Sequence, residues 1–380
     1  MSQRNIKIPF NSPYLTGKEL IYLQESLKSG NIVGNAGFTR KCEELLEKSF
    51  SAKKILLTNS CTDALEMASL LTGLKPGDEV LVPSFTFVST VNAFILRGAR
   101  PVFVDIREDT LNIDETKIDE KITEKTKAIF PVHYAGVSCE MDAITDTAKR
   151  YNLFVVEDAA QGVNAKYNGQ YLGTIGDIGT YSFHGTKNYT CGEGGAIVIN
   201  NNNFIERAEI IREKGTNKSK FLRGEIDKYT WVDIGSSYLV SDMLAAFLLA
   251  QLENLDEISK KRKEIFDYYY ENLEKLQTAG ELKLPSVPGN CETNYHLFYV
   301  ILNSEDKRNN IIKRLREHGI QAVFHYVPLH TSPMGIKYGY KAGDLPVTES
   351  MSSRLLRLPL YPHLEKDSQK YIIDSLKICM

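Results

Sequence analysis

Residues 153–161 read LFVVEDAAQ, four apolar positions closing on two carboxylates, Glu157 and Asp158. An unbroken apolar run of this length suits a strand buried on both faces. Its carboxyl end is the edge where open α/β sheets gather ligand-binding groups. An aspartate at that position suits the N-cap of a following helix equally well. Similar runs lie on either side, at 54–57 (KILL), 79–82 (EVLV), 101–104 (PVFV), 128–132 (AIFPV) and 197–199. Helix-like stretches separate them at 64–71, 91–96 and 141–151. This alternation predicts an α/β fold, a mostly parallel sheet covered by helices on both faces.

Around residue 240 the pattern changes. Ser241 and Asp242 are good helix starters before the apolar stretch 243–249, and a charged helical stretch follows from 253 to 276. Beyond it, 295–302, 311–317 and 322–326 suggest a strand–helix–strand unit. A chain of 380 residues is long enough for two domains, since single cores stop growing at roughly 250–300 residues. The expected division is 1–250 for a large domain and 251–380 for a smaller α+β one.

Composition narrows the function. The chain is 42% hydrophobic and 25% charged with a net charge of −2, which argues against a nucleic-acid binder. Residues 1–10 hold no apolar run suited to a leader, and no run of about 18 apolar residues suggests a membrane span. The six cysteines are scattered without a CxxC pair, so free thiols in a cytoplasmic protein are expected rather than disulfides or a metal site.

The glycine patterns of dinucleotide sites and P-loops are absent, as are HExxH and GxSxG. Gly173, Gly176 and Gly179 form a spaced series, but no strand leads into it, and it carries little weight as a phosphate loop. Three segments carry chemistry. Asp158 supplies an acid. The stretch 181–196 (YSFHGTKNYTCGEGGA) sets Lys187 among glycines, which let backbone approach a ligand closely. A lysine becomes nucleophilic when desolvation lowers its pKa. The turn 58–65 (TNSCTDAL) leads into a helix whose first N–H groups can hold a phosphate. Capping by Ser60 or Thr62 would satisfy the same donors. An anion cradle, an acid and an amine together are what pyridoxal phosphate needs.

Those residues carry a resemblance. The stretches at 8–20, 83–99, 130–142, 155–162, 182–196, 212–217, 228–239 and 324–330 (FHYVPLH) together resemble the DegT/DnrJ/EryC1/StrS sugar aminotransferases, essentially end to end. The likeness implies a pyridoxal-phosphate enzyme of fold type I (aspartate aminotransferase-like), with a mostly parallel seven-stranded sheet. By position it makes Lys187 the lysine that bonds the cofactor aldehyde and Asp158 the partner of the ring nitrogen. Gln161 meets the ring hydroxyl, Phe87 stacks on the ring, and Ser182, Cys61 and Thr62 hold the phosphate. Phe87 also suits a core strand.

His184 and Glu193 are expected to line the sugar pocket, and Tyr326 and His330 to approach the sugar nucleotide; ordinary packing suits the last two as well. Many members have Ser-Gly-Thr where this chain has Ser60-Cys61-Thr62, so a contact needing φ > 0 would not survive. Many have Gly-Tyr-Asn-Tyr where it has Gly235-Ser236-Ser237-Tyr238. There Ser237 stands where an asparagine reaches the neighbouring subunit's phosphate. The resemblance further implies a homodimer with shared active sites, L-glutamate as donor and a dTDP-keto-sugar as acceptor. Amination at C4 with galacto configuration is expected, with the gluco epimer or a 3-amino sugar as alternatives. A cofactor-binding regulator without turnover is opposed by the intact Asp158, Gln161 and Lys187. The polar stretch 215–224 is expected to be a mobile loop.

Overall fold

A computed structural model describes residues 6–380, so the first half of the 1–10 segment lies outside the described residues. Seven strands form the main sheet: β1 Lys54–Thr58, β2 Glu79–Pro83, β3 Arg100–Val104, β4 Thr126–Ile129, β5 Phe154–Asp158, β6 Ile178–Ser182 and β7 Gly195–Ile199. Their order across the sheet is β1-β7-β6-β5-β4-β2-β3. Every adjacent pair is parallel except the two made by β7, which runs against both β1 and β6. Two cores cover the faces. One includes Leu57, Ile129 and Val155, and the other Leu56, Ala128 and Val156, as the two-residue period of a strand requires.

That period also decides the two acids of β5. Glu157 is fully buried, and its carboxylate accepts N–H bonds from Gly173 at 2.8 Å, Ile175 at 2.7 Å and Gly176 at 2.6 Å. The fourth donor is His133. Its Nδ1 accepts the Cys139 N–H at 3.2 Å, so the ring proton sits on Nε2 and is donated to Glu157 at 2.9 Å. The glycine series therefore does cradle an anion, but the anion is the protein's own carboxylate. Gly179 packs so tightly on the Gly173 backbone that a Cβ has no room.

Ser60 caps the Cys61–Leu71 helix through Asp63 N–H. Asp242 reaches across to the N–H groups of Phe38 and Thr39, at the start of the Gly37–Phe50 helix, while Ser241 caps its own Asp242–Leu252 helix. The charged helix is Leu255–Thr278. Leu255 and Ile258 join the first core, whereas Ile265, Phe266 and Tyr269 join a third that holds the C-terminal elements. We propose that the division between domains lies within this helix. Ile8 belongs with the C-terminal core and bridges to Ile320.

One expectation needs correction. Segment 322–326 is no strand: only Val323 pairs, with Arg357, before the chain turns toward Pro328, which has no N–H to continue a ladder. Phe298–Leu302 is instead flanked by Leu282–Lys283 and Leu355–Leu358, both antiparallel to it. The stretch 215–224 contains a short helix, Lys218–Leu222, and Arg223 beyond it pairs with Glu209 and Glu225. All six cysteines are free thiols. No helix among the described residues is long and apolar enough to cross a membrane.

Glu157→Gln removes the charge that four donors enclose, and the amide's own N–H groups face donors. We expect a loss of about 2–4 kcal/mol in stability, by analogy with charged hydrogen bonds and broken buried networks. Urea unfolding measures it, and an unchanged midpoint would refute this account of the β5 anchor.

Candidate active site

Asp158 ends β5 and is 5% exposed. Its Oδ1 accepts the Ala160 N–H at 3.1 Å, closing a turn where no helix follows for it to cap, while Oδ2 accepts the Thr90 hydroxyl at 2.6 Å. Gln161, on the turn beyond, is held at both ends of its amide. Oε1 accepts the Ala135 N–H at 2.7 Å, and Nε2 donates to the Tyr326 hydroxyl at 3.1 Å.

Lys187 lies on an arch that leaves β6 at Ser182 and returns to the sheet at Gly195, two residues paired with each other across β6 and β7. A second pairing, His184 with Gly192, closes the arch further out. Burial pushes the Lys187 ammonium below the usual lysine range; Cys61 and Asp158 oppose that shift, and Arg357 adds to it. A small cavity brings Lys187 together with Gln161, Ser182, Asn188 and His296. Asn188 donates to Asn294 O, which orients its amide so that Oδ1 meets His296 Nδ1 at 2.8 Å.

The Cys61–Leu71 helix begins beside these groups. Cys61 is buried, and its thiol is pushed far up, first by burial and then by the Asp158 charge. Asp63 N–H is spent on Ser60, which leaves the N–H groups of Cys61 and Thr62, too early in the helix for intrahelical partners. Capping thus uses one donor and spares two. Cys61 is not among the residues with positive φ, so cysteine in place of glycine strains nothing. Gly195 explains how the two segments meet: a Cβ there would collide with the backbone of Ser60 and Cys61. Thr62 donates its hydroxyl to Ser89 at 2.8 Å.

The remaining expected residues divide. Phe87 is not in a strand; it precedes the Val88–Ile95 helix and is 58% exposed, its ring 6.4 Å from that of Tyr326. Tyr326 reaches Gln161, as above. His184 and Glu193 face each other at 3.5 Å on the exposed outer side of the arch. Ser237 is exposed, its carbonyl held by Asn59 Nδ2 at 3.0 Å. His330 is fully buried, with Nδ1 at 2.8 Å from Ser84 Oγ and Nε2 at 2.9 Å from Glu349. Its ring is spent on joining Glu349 to Ser84, just past the end of β2.

Sequence reasoning passed over Thr90, Tyr134, His325 and Arg357. The Tyr134 hydroxyl meets His325 Nδ1 at 3.0 Å, and burial, with Arg357 and Lys187 nearby, holds that imidazole well below its usual range. Arg357 donates to Phe324 O at 3.0 Å and lies over the Phe10 ring. A lone arginine inside an apolar run, LLRLPL, was the available signal.

With this geometry in view, comparison with known proteins is informative. The model of the DegT/DnrJ/EryC1/StrS aminotransferase family matches residues 13–377. GDP-perosamine synthase of Escherichia coli O157:H7 is 34% identical, over 97% of this chain and 97% of its own. The spore coat polysaccharide biosynthesis protein SpsC of Bacillus subtilis (strain 168) is 34% identical, over 99% and 98%. Among solved structures, the putative sugar aminotransferase Spr1654 from Streptococcus pneumoniae, in its PMP-form, superposes with a TM-score of 0.91 at 28% identity, covering 98% of this chain and 99% of that one. Sequence and architecture thus agree over nearly the whole length, and the chain belongs to the DegT/DnrJ/EryC1/StrS aminotransferase family.

Proposed function

We propose that the protein moves the amino group of L-glutamate to C4 of dTDP-4-keto-6-deoxyglucose, giving dTDP-4-amino-4,6-dideoxygalactose and 2-oxoglutarate, with Lys187 as the working amine. In coarser terms it is a sugar aminotransferase that depends on pyridoxal phosphate. The observation that carries the proposal is the enclosure of Lys187 beside Asp158 and the open helix start.

The residues present fit the cofactor. The spare N–H groups of Cys61 and Thr62 and the Ser182 hydroxyl would hold its phosphate, in a cradle that only a glycine at 195 leaves open. Asp158 would hold a proton on the ring nitrogen, the second N–H of Gln161 would reach the ring hydroxyl, and Phe87 would cover the ring. When bound, pyridoxal phosphate supplies an aldehyde for amine exchange and a ring that draws off the electrons of a broken C–H bond. Burial leaves more of Lys187 as the free amine, the form that attacks a carbonyl and accepts a proton. Its Nζ takes the proton from the donor's carbon and returns it to the sugar's. Tyr326 extends the site toward the sugar nucleotide, and His184 and Glu193 stand at its rim.

A homodimer is part of the same reading. Val33, Trp231, Val232 and Ile234 are exposed, Trp231 at 78%, an apolar face of the kind that marks an interface. Ser237, exposed beside the helix start, would contact the cofactor of the neighbouring subunit. A second reading changes the acceptor: two relatives at 34% identity are named GDP-perosamine synthase, which favours a GDP-linked keto-sugar.

Absorption spectra test these together. The band of bound pyridoxal phosphate should vanish with glutamate and return with dTDP-4-keto-6-deoxyglucose. Return only with a GDP-linked keto-sugar would transfer the proposal to the second reading, and no band would refute both. Lys187→Ala should lose turnover by about a thousandfold or more, as expected where nucleophile and base are one group; a normal rate removes Lys187 from the chemistry. A further expectation concerns pH. Because burial disfavours its ammonium, Lys187 of cofactor-free protein should be captured by pyridoxal phosphate and borohydride at lower pH than surface lysines. Quantified by peptide mass spectrometry, a profile coincident with the surface lysines would contradict this.

A further inference from the structure

Threonines inside helices usually return their hydroxyl to the carbonyl four residues back. Thr72 does so here, to Ala68 O at 2.8 Å, and Ser69 bonds Leu65 O at 3.0 Å in the same way. Thr90, in the first turn of the Val88–Ile95 helix, does not. Its fully buried hydroxyl donates to Asp158 Oδ2 at 2.6 Å and meets the Thr86 hydroxyl at 2.9 Å. That donation to Asp158 uses Thr90's single proton. The proton of the other link then comes from Thr86. Donation runs one way, from Thr86 to Thr90 to Asp158.

The same helical turn touches the other end of the site. Ser89 accepts the hydroxyl of Thr62, at the start of the candidate phosphate-binding helix, and Phe87 precedes them both. One short stretch, 86–90, thus meets the acid, the anion cradle and the ring-covering aromatic. Each Asp158 oxygen takes one protein donor, Ala160 N–H on Oδ1 and Thr90 on Oδ2, which fixes the plane of the carboxylate.

We propose that Thr90, backed by Thr86, is a positioning residue that keeps the Asp158 carboxylate turned toward the ring nitrogen of the cofactor. The inference rests on the pyridoxal-phosphate reading of the site. Thr90 touches neither substrate nor cofactor; it acts through Asp158. The two links differ in consequence. Without Thr90 the carboxylate loses a charged hydrogen bond, whereas without Thr86 it keeps that bond and only the Thr90 rotor is freed.

Thr90→Val keeps the shape and removes the donor, Thr90→Ser keeps the donor, and Thr86→Val removes the second link. Three quantities are read for each: the dissociation constant of pyridoxal phosphate from titration of cofactor-free protein, the pH dependence of the bound cofactor's absorption, and kcat and KM separately. Thr90→Val should bind the cofactor about tenfold or more weakly, move the pH dependence of the spectrum and lower kcat more than KM. Thr90→Ser should return all three to within about threefold of the original. Thr86→Val should move the spectrum in the same direction by less. A folded Thr90→Val with an unaltered spectrum, or a Thr90→Ser no better than Thr90→Val, overturns the proposal. Should Thr90→Val fail to fold, an unmoved spectrum in Thr86→Val overturns it. Absence of a cofactor band in the unaltered protein sinks the reading of the site itself, whereas a band that Thr90→Val leaves untouched sinks only the role of Thr90.

Discussion

The buried carboxylate of Glu157 is the constraint on which the rest depends. Taking a carboxylate out of water costs several kcal/mol unless it is paired and fully hydrogen-bonded. Here three backbone N–H groups and the His133 imidazole enclose it. That demand orders the 173–176 turn, sets the entry into β6 and chooses the His133 tautomer. It also fixes the register of β5, since His133 N–H donates to Asp158 O and Asp158 N–H to Pro131 O. A slip of one residue would exchange Glu157 and Asp158 between the two faces. One carboxylate is therefore used to fasten the sheet so that its neighbour can be presented at the sheet's edge.

Much of this was legible in the sequence, and the parts that were not have physical reasons. Buried strands such as KILL and EVLV announce themselves because both faces are apolar, and the helix Met141–Tyr151 coincides with its expected bounds. β6 is obscured by Gly179, a poor strand signal that is present because the Gly173 backbone presses against it. The reversed direction of β7 is invisible in principle, since an all-apolar strand reads alike either way. The Glu19–Lys28 helix is hard to see because Leu20, Ile21 and Leu27 point outward rather than into a core.

The site divides similarly. Asp158, Gln161 and Lys187 are conspicuous because acid, amide and amine lie in short motifs whose types imply chemistry. Thr90 and Arg357 are not, because a threonine or an arginine acquires meaning only from what the fold sets against it. His330 shows the opposite hazard. Its place in FHYVPLH suggested a ligand contact, yet both ring nitrogens are occupied by Ser84 and Glu349. Tyr326, four residues earlier in the same motif, meets Gln161 and so links the C-terminal unit to the candidate cofactor site.

The antiparallel course of β7 has one more consequence. Because β7 starts where β6 ends, the segment bearing Lys187 departs from and returns to the same edge of the sheet, its feet at Ser182 and Gly195 joined. The lysine is thus mounted on a closed span rather than on a free tether. Closing so short a span costs its entropy during folding, so none is left to be lost when the amine engages a ligand. The span is itself packed into the protein: Phe183, Tyr189 and Cys191 belong to the first core, and Asn188 is tied to Asn294 and His296. What this edge of the sheet can hold is thereby tied to the packing that keeps the sheet together.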